Sequence, residues 1–307
     1  MRHKAFSTAF ALLTASLLSC ASIKTGCDIH FDALSPYAGS ADYQEGKVIK
    51  ENESYRCEAH WVKHNGNNIY CEYVYPADAP KDSPLPTVLL VHGFASNHLS
   101  WSSFLPYFAD SSFLAVALDC RGGSSFSFSD GDFLQMSLDT ELADIEAVAL
   151  DALNQPIVDK ENFFLVGHSQ GGLLVSLASA KKNLKDRLKG IVSLSGGYCL
   201  IDDIALDYEE SSLPETAEIL GTKVGKGYLE SVFRHRRYRE EIKDYDGKAL
   251  LLVGEEDELV SPDSVQGIYE GCYADKGEFH RLPGIGHGYS IKDVGTFYDS
   301  ILEPFLQ

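Results

Sequence analysis

Six short apolar runs, at residues 87–91, 113–118, 162–166, 190–194, 249–253 and 279–282, punctuate this chain, and each has the length of a β-strand. They are read as largely apolar on both faces, so they predict strands buried on both sides rather than strands with one wet side. Between them stand helical periodicities. Leu138, Leu142, Ile145 and Ala149 share one face of a helix, as do Ile291, Val294, Tyr298 and Ile301. Parallel strands need crossover connections and helices supply them, so the alternation predicts an α/β fold with a mostly parallel sheet covered on both sides. Upstream, residues 55–63 and 69–75 flank Asn65-Gly66, the signature of an antiparallel hairpin. Counting the hairpin, eight strands are expected in one catalytic-size domain spanning 47–307. Residues 196–247 break the rhythm, being far longer than a crossover requires, and are expected to form a short helical cap.

The N-terminus reads differently. Met1-Arg2-His3-Lys4 is a basic start, followed by an uncharged stretch of apolar and small residues to Ser19, the pattern of a signal peptide at 1–19. Leu17-Leu18-Ser19-Cys20 resembles a bacterial lipobox, which makes Cys20 the expected lipidated N-terminus; ordinary secretion is the alternative. Residues 20–46 are small, polar and aperiodic, as a tether to the cell envelope would be. Export permits disulfides, yet Cys27, Cys57, Cys71, Cys120, Cys199 and Cys272 follow no metal-binding spacing, and no metal or organic cofactor is expected. If Asn65-Gly66 pairs His64 with Asn67, Cys57 lies opposite Val74 and Cys71 opposite His60, on different faces of the hairpin. No bridge is therefore assigned. With 45 acidic residues against 26 basic ones and a formal charge of −19, the surface field repels phosphate backbones and anionic lipid. Nucleic acid is not an expected partner, and membrane contact is expected only through the anchor.

Gly167-His168-Ser169-Gln170-Gly171 fits G-x-S-x-G, and its context sharpens the match. A buried-strand run precedes it and an apolar helical start follows, so Ser169 is placed on a tight strand-to-helix turn with its hydroxyl at a helix N-terminus. The plain alternative is a serine that merely caps the helix. Because a serine hydroxyl is a weak nucleophile, a base must come from elsewhere. His287, in a glycine-flanked loop after the last strand run, is the candidate. An acid that fixes the imidazole tautomer is expected after another strand, and Asp257 stands in Gly254-Glu255-Glu256-Asp257-Glu258. Asp202 or Asp203 is the alternative acid; Glu255, Glu256 and Glu258 read as a solvated rim. His92-Gly93-Phe94 follows the first strand run, where the backbone N–H of Phe94, with that of Gln170, would form an oxyanion hole. His92 itself reads as structural.

Together the HGF turn at Gly93, the DCRGG turn from Asp119, GHSQGG around Ser169 and GEEDELV around Asp257 resemble the α/β-hydrolase family, and among its members bacterial cinnamoyl or feruloyl esterases. The resemblance covers Tyr55 to the C-terminus. It implies the α/β-hydrolase fold, a Ser169–His287–Asp257 triad, a small-molecule ester substrate hydrolysed through an acyl-enzyme, and a cap over the acyl pocket. Acylglycerol lipases, lysophospholipases, thioesterases and proline-type aminopeptidases share these motifs, and a non-catalytic surface lipoprotein is the reading from another class. In the cap, Tyr198, Tyr208, Tyr228, Phe233 and Tyr238 offer either packing or an aromatic pocket. Glu209, Glu210, Glu215 and Glu218 would hold a substrate amine in the peptidase reading. Arg234, Arg236, Arg237 and Arg239 read as a solvated face paired with Glu230 and Glu240. Asp144 and Glu146, on the helix before the elbow strand, read as solvated.

Overall fold

The computed structural model describes residues 40–79 and 83–307. The expected leader 1–19, Cys20 and residues 20–39 of the expected tether lie outside them. The tether's last residues dock on the domain: the Trp61 indole N–H donates to the Tyr43 carbonyl at 2.5 Å, and the Trp61 backbone N–H to Glu45 at 2.7 Å.

The strands, in chain order, are β1 (Lys47–Glu51), β2 (Tyr55–His64), β3 (Asn67–Pro76), β4 (Leu85–Val91), β5 (Leu114–Leu118), β6 (Val158–His168), β7 (Gly190–Leu194), β8 (Thr216–Ile219), β9 (Thr222–Gly225), β10 (Lys248–Gly254) and β11 (Gly277–Leu282). The helices are α1 (Leu105–Asp110), α2 (Leu138–Ala152), α3 (Gln170–Ser179), α4 (Cys199–Asp207), α5 (Lys226–Arg234), α6 (Tyr238–Glu241), α7 (Pro262–Cys272), α8 (Ile291–Phe297) and α9 (Glu303–Leu306). Nine strands form the main sheet, in the order β1-β2-β3-β5-β4-β6-β7-β10-β11. The strand beyond the expected eight is β1, an edge strand whose sequence, KVIKE, is exposed at four of its five positions and so carries no burial signal. From β5 to β11 the six strands are parallel.

Strict alternation builds the core. Along β4, Val88 and Leu90 face one side and Leu89 and Val91 the other, and β5, β6 and β10 divide in the same way between two buried clusters. One cluster lies under α2, α3, α7 and the cap; the other lies under α1, α8 and the C-terminal residues Leu302, Phe305 and Leu306. Each fully buried Leu or Phe contributes about 1.5–3 kcal/mol relative to an exposed one. The hairpin has the expected register, with Cys57 opposite Val74 and Cys71 opposite His60. The two thiols consequently belong to different clusters. Near the C-terminus a π-turn over Tyr298–Leu302 adds a residue to the helical repeat, so Leu302 is buried in place of Ile301.

Between β7 and β10 the cap is not purely helical. It contains α4, α5 and α6 together with the hairpin β8–β9, whose turn residues Leu220 and Gly221 both have positive φ, 48° and 77°. That is the backbone of a type I′ turn. Leucine is a poor marker for it, so the sequence offered no hairpin signal.

The strand order β5-β4-β6 decides where a site forms. The chain leaves β4 in one direction and crosses back over it to reach β6, and at such a reversal the loops beyond the carboxyl ends diverge and open a crevice. The loops flanking it carry Gly93-Phe94 and Ser169.

Candidate active site

Strand β6 ends at His168 and α3 begins at Gln170, leaving Ser169 alone to turn the chain, with φ 57° and ψ −124°. A non-glycine residue in that region is strained, and the surroundings impose it. The Ser169 N–H donates to the Leu194 carbonyl at 2.9 Å. A Cβ at Gly171 would lie 2.2 Å from the Val91 carbonyl oxygen, so only glycine lets α3 come this close to β4. Ser169 makes no side-chain cap bond, which removes the capping alternative. Its Oγ lies instead 2.9 Å from His287 Nε2.

The other imidazole nitrogen, Nδ1, lies 2.9 Å from Asp257 Oδ2. An ionised carboxylate only accepts, so Nδ1 carries the proton and Nε2 is left to accept from the Ser169 hydroxyl. Asp257 Oδ1 accepts the backbone N–H groups of Leu259 and Val260 at 3.0 and 2.8 Å. Burial would raise the Asp257 carboxyl, but the bonds from His287 and from this loop outweigh it and hold it below the usual carboxylate range. Glu255, Glu256 and Glu258 are exposed, as a solvated rim would be. The alternative acids lie elsewhere: Asp202 pairs with Arg239, and Asp203 is exposed.

The backbone N–H groups of Phe94 and Gln170 donate to no acceptor among the described residues. Both belong to the loops that border the crevice. At Gly93 a Cβ would stand 3.0 Å from Ser169 Cβ, so glycine there allows the Phe94 loop to approach Ser169.

A serine on a strained turn after a central parallel strand, an acid and a histidine after the two last strands, and a cap between β7 and β10 define one architecture. The chain has an α/β-hydrolase fold. The family model described as "alpha/beta hydrolase fold" matches residues 86–220. Among solved structures the chain is similar to Est1E from Butyrivibrio proteoclasticus in complex with ferulic acid, at 21% identity and TM-score 0.71, over 81% of this chain and 100% of that one. It is also similar to acetyl xylan esterase 1 from Thermoanaerobacterium sp., at 21% identity and TM-score 0.55 over 85% and 86% of the two chains. A monoacylglycerol lipase from Paleococcus ferrophilus aligns at 19% identity and TM-score 0.56 over 73% and 95%. A comparison with curated proteins returned no match.

Several buried groups brace this hydrolase site. His168 Nε2–H donates to the His287 carbonyl at 2.8 Å, tying the histidine loop to the elbow. Burial, and His287 beside it, push His168 down to about 3, so it stays neutral. Tyr289 packs its ring edge against His168 and bonds Ser195 Oγ at 3.0 Å. His92 is structural as expected: one ring nitrogen meets the Gly93 carbonyl and Nε2 accepts from the Cys120 N–H at 3.0 Å.

His98 is a stronger pin that sequence reasoning missed. It is buried between Asp119 (2.8 Å from Nδ1) and Glu72 (3.3 Å from Nε2), and its backbone N–H also donates to Asp119. Burial opposes its charge, but the two carboxylates prevail and raise its pKa to about 10. A raised histidine pKa contributes stability that is complete below the unfolded value near 6.5 and fades as pH rises toward 10. Glu72 and Asp119 are desolvated yet lowered by His98, so their contribution is present above about pH 4 and is lost in stronger acid. His98→Leu is therefore expected to cost about 3–5 kcal/mol near pH 6, with the gap to the parent narrowing toward pH 10. Urea denaturation of both proteins across that range checks it; a gap independent of pH would refute the pairing.

Some expectations about individual residues need correction. Asp144 is fully buried rather than solvated, and holds Arg121 of the DCRGG turn through its Nε at 2.6 Å and its backbone N–H at 2.8 Å. Glu146 is partly exposed and accepts from Asn183. In the cap, Tyr198, Tyr228, Phe233 and Tyr238 are buried in packing, and only Tyr208 is partly exposed. Arg237 pairs with Glu240, but Arg234 goes to Asp139 and Arg239 to Asp202 rather than to Glu230. Glu209, Glu210, Glu215 and Glu218 are all exposed. Glu141 escaped notice although it sits on the apolar stripe of α2 with Leu138 and Ile145, and a carboxylate at such a position is itself a signal. Among the described residues no group of three His, Cys, Asp or Glu side chains is arranged to hold a metal, and no helix is long and apolar enough to cross a membrane.

Proposed function

We propose that this protein is a serine carboxylic-ester hydrolase that works through an acyl-enzyme, with aryl-acyl esters of the feruloyl type as the favoured substrate class. One observation carries the chemistry: Ser169 Oγ, His287 and Asp257 are joined by two hydrogen bonds of 2.9 Å beside two unengaged backbone N–H groups. Ser169 Oγ attacks the ester carbonyl while His287 Nε2 takes its proton. The carbonyl oxygen, now negative, is received by the N–H groups of Phe94 and Gln170. His287 passes the proton to the departing alcohol oxygen as the C–O bond breaks, leaving Ser169 acylated. Water, deprotonated by His287, repeats the attack and releases the acid. The likeness to a ferulic-acid complex over that protein's whole length supports the acyl class.

A fluorophosphonate probe tests the nucleophile, and a panel of methyl ferulate, acetyl esters, long-chain monoacylglycerols and aminoacyl anilides tests the class. Labelling at Ser169 with methyl ferulate as the best substrate is expected. Absence of labelling would overturn the mechanism, and preference for another member of the panel would overturn the class.

For the N-terminus the reading is an envelope lipoprotein anchored at Cys20. In cells fed an alkyne fatty acid, the full chain is expected to take up label and Cys20→Ser to lose it. Uptake by the variant would refute the anchor.

A further inference from the structure

The side chain of Gln170, whose backbone N–H is assigned to the oxyanion hole, is held at both ends. Its Nε2 donates to Glu141 Oε2 at 2.5 Å, and its Oε1 accepts from the Tyr228 hydroxyl at 2.6 Å. All three residues are buried. Tyr228 belongs to the cap helix α5, and its ring also packs against that of Phe94, with centroids 5.6 Å apart. One cap residue thus touches both amino acids that would supply oxyanion donors.

Helix α5 is fastened where this matters. Ser231 Oγ accepts the Leu138 N–H at 3.0 Å at the start of α2. One turn on, Asp139 takes Arg234 Nε at 2.6 Å and His235 Nε2 at 3.0 Å. The same helix α2 carries Glu141, so α2 and α5 run together to Gln170 and grip it from two sides. A free glutamine at the first residue of a helix would sample several rotamers, and its peptide plane would have more latitude to tilt.

We infer that Tyr228 and Glu141 are positioning residues that clamp Gln170 so that the cap sets the oxyanion geometry, a role that rests on the ester-hydrolase reading above. Without the clamp the Gln170 N–H loses its aim at the developing negative oxygen, where a complete donor accounts for 10²–10³ in turnover. Burial and the neighbouring Asp144 raise the Glu141 carboxyl well above its usual range, and burial keeps Tyr228 an O–H donor. Glu141→Gln keeps an acceptor oxygen for the Gln170 amide.

The test compares the parent with Tyr228→Phe, Glu141→Gln and Glu141→Leu on methyl ferulate, together with inhibition by an aryl trifluoromethyl ketone, whose adduct with Ser169 places an oxyanion in the hole. Tyr228→Phe is expected to lower kcat by about 10- to 100-fold with KM within about twofold. Its loss of affinity for the ketone should match the loss in kcat/KM, while affinity for the uncharged analogue coniferyl alcohol, which brings no negative oxygen to the hole, stays unchanged. Glu141→Leu should behave alike and Glu141→Gln should retain parental kcat. Tyr228→Phe with parental kcat, or an equal loss of affinity for ketone and coniferyl alcohol, would overturn the clamp alone. A parent chain inert to both fluorophosphonate and ester would instead overturn the hydrolase reading and the clamp with it.

Discussion

Alanine at Ser169 is expected to reduce turnover of an activated aryl ester by about six orders of magnitude, or about 8 kcal/mol in barrier. The size of the effect follows from the connectivity. Ser169, His287 and Asp257 form one chain of hydrogen bonds, and removing the terminal atom leaves the imidazole with nothing to deprotonate except water. What survives is the contribution of the oxyanion donors and of binding, which Ser169→Ala does not touch. Because the strained turn at residue 169 is imposed by Gly171, by the strand and by the Leu194 carbonyl, alanine should occupy it without unfolding the protein. The check is kcat from a purified variant, with circular dichroism confirming the fold and loss of fluorophosphonate labelling confirming the site. Activity within tenfold of the parent would eliminate Ser169 as nucleophile.

Asparagine at Asp257 is expected to lower kcat by about 10⁴ at neutral pH with KM little changed. This substitution separates charge and tautomer from shape. The amide oxygen can still accept the backbone N–H groups of Leu259 and Val260, so the loop should keep its form. Facing His287, however, the amide nitrogen is a donor where the carboxylate accepted. The imidazole must then turn its unprotonated nitrogen toward residue 257 and present Nε2–H to Ser169, which cannot give up its proton to a nitrogen that already holds one. Steady-state kinetics at pH 7 and the histidine ring ¹⁵N shifts of the variant would measure both halves of this effect. A variant with undiminished kcat would show that the acid comes from somewhere else.

The two effects differ by about a hundredfold because the losses differ in kind. Loss of Ser169 removes the bond-forming atom, whereas loss of the Asp257 charge leaves every reacting atom present but wrongly protonated. Both exceed the effect expected for the Tyr228 clamp, which alters aim rather than chemistry.

Much of the scaffold was legible from residue order. All six apolar runs became parallel strands, but only five are covered on both faces; the last, 279–282, lies in β11 at the sheet's edge, where Leu282 alone is buried, His280 is half-buried and Arg281 is exposed. Leu138, Leu142, Ile145 and Ala149 all lie in the core. The Asn65-Gly66 register was readable to the residue, since two positive φ values admit few other pairs: 50° and 83° are found there. Edge strand β1 and the hairpin β8–β9 were not legible. The first is too exposed to be patterned, and the second turns on a leucine that composition would never place in a left-handed conformation.

For the site, local chemistry named Ser169, Asp257 and His287, because a strained turn, an acid among others in a strand-end loop and a glycine-flanked histidine each leave a trace in short segments. Distance along the chain hid the rest. His98, Glu72 and Asp119 are brought together from three loops and strands, and Glu141, Gln170 and Tyr228 from two helices and a cap. No short segment encodes such partnerships, since a buried polar group is recognisable only when the groups that satisfy it are in view. The sequence alone marked which side chains are candidates to react; the folded sheet and its cap decided which of them are held neutral, charged or aimed, because desolvation and hydrogen bonding depend on neighbours that only three dimensions supply.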